Sequence, residues 1–279
     1  MEKQLNVKVL EQYENYLKCE EKSLATQKQY KSEIMRFLNY TAGENVSKEL
    51  IIQYKEQLMN RYQPVSVNTK LAAINGFLQF AGYGDLKVKQ LKIQSKTYCS
   101  SEQELTKAEY LRLLSAAKDQ DKEKVWLILQ TICSMGIRIS ELPFITVEAV
   151  QEGKAIVNLK GKNRVIFLGK KLRYNLKKYI SKQGIYSGPI FITRTGKPMD
   201  RSNIWKMMKK LCEKADVNED KVFPHNLRHL FARTFYHNNK DIVKLADVLG
   251  HSNINTTRIY TLSTGKEHQR CIDAMDLVV

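Results

Sequence analysis

Pro224-His225-Asn226-Leu227-Arg228-His229-Leu230 is the stretch from which the rest of the chain is read. On a helix, residues three apart share a face, so His225 and Arg228 point at one spot while Leu227 and Leu230 pack inward. Taken alone, that pairing describes a basic helix touching phosphates, or a solvated face, as well as it describes a catalytic site. Its surroundings decide. Helices are expected at about Asn226–His237, Asp241–Leu249 and Asn255–Tyr260, with Gly250 where a glycine ends the second of them.

Upstream, between Glu152 and Asp200, helical spacing gives way to alternation, in Ala155-Ile156-Val157-Asn158-Leu159 and again in Arg164-Val165-Ile166-Phe167-Leu168. Lys160-Gly161-Lys162-Asn163 between them reads as a hairpin turn. This interval holds no acidic residue but many lysines and arginines. Solvated faces mix signs, so an unmixed one reads as facing a polyanion. Earlier still, Thr106-Lys107-Ala108-Glu109 matches a capping box, opening a helix with Tyr110, Leu113 and Leu114 on one face, and a second helix is expected at about Lys122–Ser134.

The first third is different in kind. From Val7 to Gly82 the apolar residues recur at helical spacing in four groups, with Ser23 and Ser47 suited to N-caps, Gln63-Pro64 as a break and Gly82-Tyr83-Gly84-Asp85 as a stop. The spacing predicts four amphipathic helices. A polar passage, Lys87 to Glu104, follows without sustained periodicity. The organisation expected is a helical domain over 1–90, a linker over 91–103 and a second domain over 104–279 ending in an amphipathic tail helix.

Composition narrows the function. The chain has 279 residues, 46 Lys and Arg against 29 Asp and Glu, and a formal net charge of +17. Such a surplus costs self-repulsion and has its commonest use in binding a polyanion, so nucleic acid is the expected partner. With 43% hydrophobic residues the chain can build cores, which excludes a disordered basic tail. The longest apolar runs, such as Val125–Leu129, fall far short of the roughly 18 residues of a membrane span. No membrane role is expected. The start of the chain has no apolar signal segment, which points to the cytoplasm. The five cysteines, Cys19, Cys99, Cys133, Cys212 and Cys271, are scattered and form no C-x-x-C pair, so they read as reduced thiols and not as a zinc site.

Three more fragments join the opening one: Gly136-Ile137-Arg138-Ile139-Ser140-Glu141-Leu142, the Lys160-Gly161-Lys162-Asn163-Arg164 turn, and Leu249-Gly250-His251 followed by Asn255-Thr256-Thr257-Arg258-Ile259-Tyr260. In residue type, order and spacing they resemble the tyrosine recombinase family of phage integrases and Xer-type recombinases. The resemblance runs from about Glu104 to Tyr260 and, more loosely, through the helical front half, where Ser23, Thr26 and Tyr30 fit. Pro143 and Phe231-Ala232 depart from the commonest family wording. The implied fold is mainly α with a small antiparallel β-sheet: a helical SAM-like core-binding domain and a tyrosine-recombinase catalytic domain.

The resemblance implies roles residue by residue. Arg138 and Arg228 clamp the scissile phosphate, a task that suits a forked, permanently charged guanidinium. Arg138 could otherwise pair with Glu141. Lys160 falls where the family keeps the general acid that protonates the departing 5′ oxygen, with Lys162 as its rival. His225 assists proton transfer, His251 contacts the phosphate, and Tyr260, nine residues after His251, is the nucleophile. A phenol with a pKa near 10 attacks poorly unless nearby cations favour phenolate, and Arg138, Arg228 and Lys160 would supply them. Asn68 and Lys70 on the fourth helix, with Lys162 and Arg164 in the hairpin, are the expected DNA contacts. His229 is expected to be structural.

No cofactor is implied, since one ester replaces another and bond energy is retained. The sequence has no P-loop and no paired-carboxylate cluster with metal-ligand spacing, so no metal is expected either. The implied partner is double-stranded DNA with inverted half-sites, held by a homotetramer. Ile272, Met275, Leu277 and Val278 of the tail either bury in the next protomer or fold back on their own domain. A mobile-element integrase is the expected biological role. Xer-type dimer resolution or inversion, a type IB topoisomerase-like relaxation activity, and a catalytically silent regulator of the same fold are the alternatives.

Overall fold

Local chemistry sets the helix starts in the first third. The Asn6 side chain accepts the Val9 amide to open α1 (Val7–Cys19). Ser23 Oγ accepts the Thr26 amide at 3.2 Å to open α2 (Leu24–Thr41), and Ser47 caps α3 (Lys48–Arg61) in the same way. Pro64 occupies the first position of α4 (Pro64–Ala81), where its missing N–H costs nothing, and Gly82 closes that helix in the left-handed conformation. These four helices are in a computed structural model that describes residues 5–41, 45–93, 103–159, 162–260, 269–270 and 273–275. The chain separates into two compact units, Met1–Ser95 and Lys96–Val279.

In the first unit α4 is the axis against which α1, α2 and α3 pack. Its Val67, Leu71, Ile74, Phe77 and Leu78 are fully buried, meeting Tyr13 and Leu10 of α1, Ile34 and Phe37 of α2, and Ile51 and Tyr54 of α3. Each such side chain contributes about 1.5–3 kcal/mol by leaving water. After α4 the chain turns through Gly84–Leu86, and the residues that follow are held to the helices by side-chain bonds. Asn75 donates Nδ2 to the Val88 carbonyl at 2.9 Å and accepts the Val88 amide at 3.0 Å. Asn68 treats Leu91 in the same way, at 2.9 and 2.7 Å. Lys55 adds a bond to the Lys89 carbonyl at 2.8 Å. The non-periodic passage after Asp85 thus begins as a strap bound to its own domain.

The second unit is built around α6 (Glu123–Met135), which is buried on nearly every side. Against it pack α5 (Lys107–Asp119), α8 (Lys170–Gln183), α9 (Arg201–Lys209) and α11 (Pro224–Asn239). The capping box expected at Thr106 and Glu109 is present, both halves formed. Short α7 (Val147–Glu152) leads into the antiparallel pair β1 (Lys154–Leu159) and β2 (Lys162–Phe167), with Val157 opposite Arg164 and Leu159 opposite Lys162. Lys162 and Asn163, read from sequence as part of the turn, therefore belong to β2. Further along come α10 (Cys212–Ala215), α12 (Ile242–Leu249) and α13 (Asn255–Arg258).

One expectation fails here. The alternation expected through to Asp200 stops at the hairpin, and α8 occupies the middle of that interval. Leu172, Leu176 and Tyr179 are buried on one face, which is helical spacing diluted by lysines between them. The expected final helix over Asn255–Tyr260 ends at Arg258. Of the tail, Met275 is described and is exposed, whereas Ile272, Leu277 and Val278 lie outside the described residues, as do Cys99 and Cys271. Among the described residues no helix is long and apolar enough to cross a membrane.

Gly136, which ends α6 at φ +60°, sits so close to α11 that a Cβ there would lie 2.2 Å from Phe231 Cδ1. Gly184 ends α8 at φ +63° with open space around it. Gly184→Ala should therefore lose only the backbone term, about 1 kcal/mol. Gly136→Ala should lose that and a further ~1–3 kcal/mol of overpacking. Urea denaturation of the two variants checks this, and equal losses would refute the role given to Phe231.

Candidate active site

Arg228 defines the site. It is 1% exposed, and its guanidinium donates from Nη1 to the Gly136 carbonyl at 2.6 Å and from Nη2 to the Leu249 carbonyl at 2.8 Å. Those carbonyls belong to the ends of α6 and α12, where helices carry unpaired acceptors and negative partial charge. Burial, with Arg138 nearby, pulls the Arg228 pKa down to about 10, while Tyr260 and Glu141 oppose the shift. It stays charged at neutral pH.

Nη2 of Arg228 also lies 2.9 Å from His251 Nε2, and His251 Nδ1 lies 2.9 Å from Thr257 Oγ1. A guanidinium can only donate, so Nε2 is the acceptor and the proton of a neutral ring sits on Nδ1, donated to Thr257. Burial first, and then the surrounding arginines, hold His251 at about 4. Thr257 is fully buried on α13 and aims the ring.

Arg138 follows α6 directly, and its backbone amide donates to Glu141 Oε2 at 2.8 Å while Nη1 donates to Oε1 at 3.0 Å. The pairing with Glu141 that the sequence allowed is therefore formed, and it leaves the Arg138 side chain 42% exposed toward a cleft. That cleft, about 730 Å3, is lined by Arg138, Arg201, Lys209, His225 and Arg228 with apolar Trp205 and Phe223. Asp220 is the one carboxylate in its lining.

His225 and Arg228 do share a face, as their spacing predicts. Burial, and then Arg228, Arg138 and Arg201, push His225 below the usual histidine range. His229 meets the His225 ring edge-on at 4.7 Å and the Tyr260 ring at 4.5 Å, and burial takes it to about 4. Tyr260 is 3% exposed and near enough to Arg228 to raise the pKa of that guanidinium, with the His251 ring stacked on it at 5.9 Å. Arg138, His225, Arg228, His251 and Tyr260 thus come together. Lys160 lies outside the described residues, and Lys162 is described only in its backbone.

The expected DNA contacts sit elsewhere. Lys70 is buried and donates to both carboxylate oxygens of Glu33 at 2.8 Å, with the Tyr62 ring 4.4 Å from its ammonium. Asn68 spends its amide on Leu91. The Arg164 side chain is 11% exposed and turned inward to the Leu249 carbonyl and Glu141. Glu141 was named from sequence only as a partner of Arg138, and Thr257 was given no role and carries no signal of its own.

Comparison with known proteins places the chain in a family. The model of the phage integrase family matches residues 103–267, and that of the phage integrase N-terminal SAM-like domain matches residues 10–82. The chain belongs to the phage integrase family and is a tyrosine site-specific recombinase. It is 29% identical to tyrosine recombinase XerA of Pyrococcus horikoshii over 98% of this chain and 95% of the other. With XerA of Thermococcus kodakarensis it shares 30% identity over 94% and 93%. In fold it is similar to the XerH recombinase bound to difH substrate in a pre-cleavage complex, with TM-score 0.72 and 19% identity over 96% of this chain and 83% of that one. The lambda integrase tetramer bound to a Holliday junction gives TM-score 0.74 and 16% identity over 93% and 78%.

The two low histidines give stability a pH dependence. His229 and His251 titrate at about 4 when folded and near 6.5 when unfolded. Between those values the unfolded chain binds more protons, so stability rises with pH across that window and levels off above it. Urea midpoints should climb from about pH 4.5 to about pH 7. The climb should be shallower in His229→Gln and shallower again in the His229→Gln, His251→Gln double variant. Identical slopes in wild type and double variant would remove these histidines as its source.

Proposed function

We propose that this chain cuts and rejoins double-stranded DNA through a 3′-phosphotyrosine ester on Tyr260. The observation that carries the reading is the meeting of Tyr260 with Arg228, His251, His225 and Arg138, of which Arg138, His225 and Arg228 line one basic cleft. In the proposed step the Tyr260 oxygen forms a bond to phosphorus and the bond to the 5′ oxygen breaks. The phenolic proton passes toward His225, which is neutral at pH 7 and so free to accept it. Arg138 and Arg228 hold the charge that builds on the phosphoryl oxygens, fixed in place before the reaction begins. Lys160 gives the leaving oxygen its proton. Rejoining runs the same steps backward, with a 5′ hydroxyl displacing Tyr260.

The domain division of 1–90 and 104–279, joined through 91–103, belongs to this reading, with both parts gripping the duplex. Asn68, Lys70 and Lys162 remain its proposed DNA contacts, the first two on release of their present partners. So does a homotetramer on inverted half-sites without a cofactor, acting in the cytoplasm. The lambda integrase structure is a tetramer on a Holliday junction, which supports that assembly for a chain of this fold. Between a mobile-element integrase and a Xer-type resolving or inverting enzyme, the near full-length similarity to proteins named XerA supports the second.

Wild type and Tyr260→Phe incubated with a nicked suicide DNA library should separate cleanly. Wild type should form a covalent adduct that survives denaturing gels, without added metal. Tyr260→Phe should bind DNA and form none, and Arg228→Ala should form it at least ~100-fold more slowly. Trapped sites at the ends of a mobile element would overturn the Xer-type reading, and one recurring chromosomal site would support it. DNA binding by wild type with no adduct at any site would replace the enzyme by a silent regulator.

A further inference from the structure

The hairpin that carries Lys160 is anchored unevenly. Ala155 and Val157 of β1 and Ile166 and Leu168 after them are buried, so one face of the base packs on the core. Ile156, Val165 and Phe167 point the other way and are exposed. Moving toward the turn, the next inward position on β2 after Ile166 is Arg164. There the apolar anchoring stops and a guanidinium replaces it.

Its partners are the groups that already hold the two phosphate arginines. Nη1 of Arg164 donates to the Leu249 carbonyl, which also accepts Arg228 Nη2. The same nitrogen is 3.6 Å from Glu141 Oε1, which also accepts Arg138 Nη1. Its stem lies on Gly250 so closely that a Cβ there would be 2.6 Å from Arg164 Cδ. Nε and Nη2 are buried and find no acceptor among the described residues. An unpaired buried donor costs about 1–3 kcal/mol, which an apolar anchor here would avoid. The charge therefore has a use beyond fastening the strand, and the Arg164 side chain, 11% exposed, is turned to acceptors within the protein.

We infer that Arg164 is a positioning residue, locking the lysine end of the hairpin to Arg138 through Glu141 and to Arg228 through the Leu249 carbonyl. This rests on the proposed reading of a hairpin lysine as general acid. Arg164 touches no reacting atom. It fixes where the lysine stands relative to the phosphate clamp.

The test uses the full chain and two suicide substrates, an ordinary phosphodiester and one with sulfur at the bridging 5′ position, whose thiolate leaves without being protonated. Arg164→Met should slow phosphodiester cleavage at saturating DNA about 100-fold, the scale of a lost general acid, and leave DNA affinity within about 3-fold. The sulfur substrate should restore most of that rate, as it should for Lys160→Ala or Lys162→Ala, whichever removes the acid. Arg228→Ala should gain no such rescue. Arg164→Lys, which keeps the charge, covers the case in which Arg164→Met does not fold, and should give a smaller loss with the same rescue. If a lysine variant is rescued and neither Arg164 variant is, the inference is wrong and the general-acid reading stands. Should no lysine variant be rescued, that reading falls and the inference falls with it. Loss of DNA affinity in step with cleavage would make Arg164 a DNA contact instead.

Discussion

A buried guanidinium must be surrounded by acceptors, and the catalytic half of this chain is arranged to meet that demand. Among the described residues Arg228 is the largest side chain taken fully out of water. Leaving such a charge unpaired would cost several kcal/mol. Its acceptors are backbone carbonyls at two helix ends, Gly136 after α6 and Leu249 at the close of α12. Both helices stop in a left-handed glycine, Gly136 and Gly250, which turns the chain away and leaves the last carbonyls free to face inward. Helix α11, which carries Arg228, is thereby fixed against two others, and His251, next after Gly250, is delivered to the same guanidinium.

Burial first, and then charge balance, explain the behaviour of the histidines. Arg138, Arg164 and Arg228 crowd around one buried carboxylate, Glu141, so the site holds an excess of positive charge. In that field a further proton is unwelcome, and His225, His229 and His251 are all held below the usual histidine range, burial being the larger cause in each. They therefore act as neutral donors and acceptors. An arriving phosphate would bring the negative charge that the arrangement lacks.

Much of this was legible from the chain. Helix starts at Ser23, Ser47 and Thr106 follow from side chains that bond the nearest free amides, and such local bonds need no knowledge of the fold. The spacing of His225 and Arg228 likewise survives into the structure. Long-range partners are another matter. Lys70 stands on what reads as the polar side of α4, yet its partner Glu33 is 37 residues away, and nothing local distinguishes an ammonium facing DNA from one facing a buried carboxylate. The carbonyls of Gly136 and Leu249 are invisible for a simpler reason, since every residue has one. Helix α8 was obscured by its own lysines, which break up a stripe of only three buried residues.

The two asparagines of α4 have a metrical consequence. Asn68 and Asn75 are two helical turns apart, which at 1.5 Å per residue is about 10.5 Å. Val88 and Leu91, the residues they hold, are three apart, and a strand-like rise of 3.3 Å per residue would carry them about 10 Å. The helix thus serves as a gauge for the strap: the pitch of one and the rise of the other agree to within a fraction of a residue. A strap lengthened or shortened by a single residue between Val88 and Leu91 would fit one clamp or the other, but not both. The path by which the polypeptide leaves α4 is in this way tied to the spacing of two asparagines.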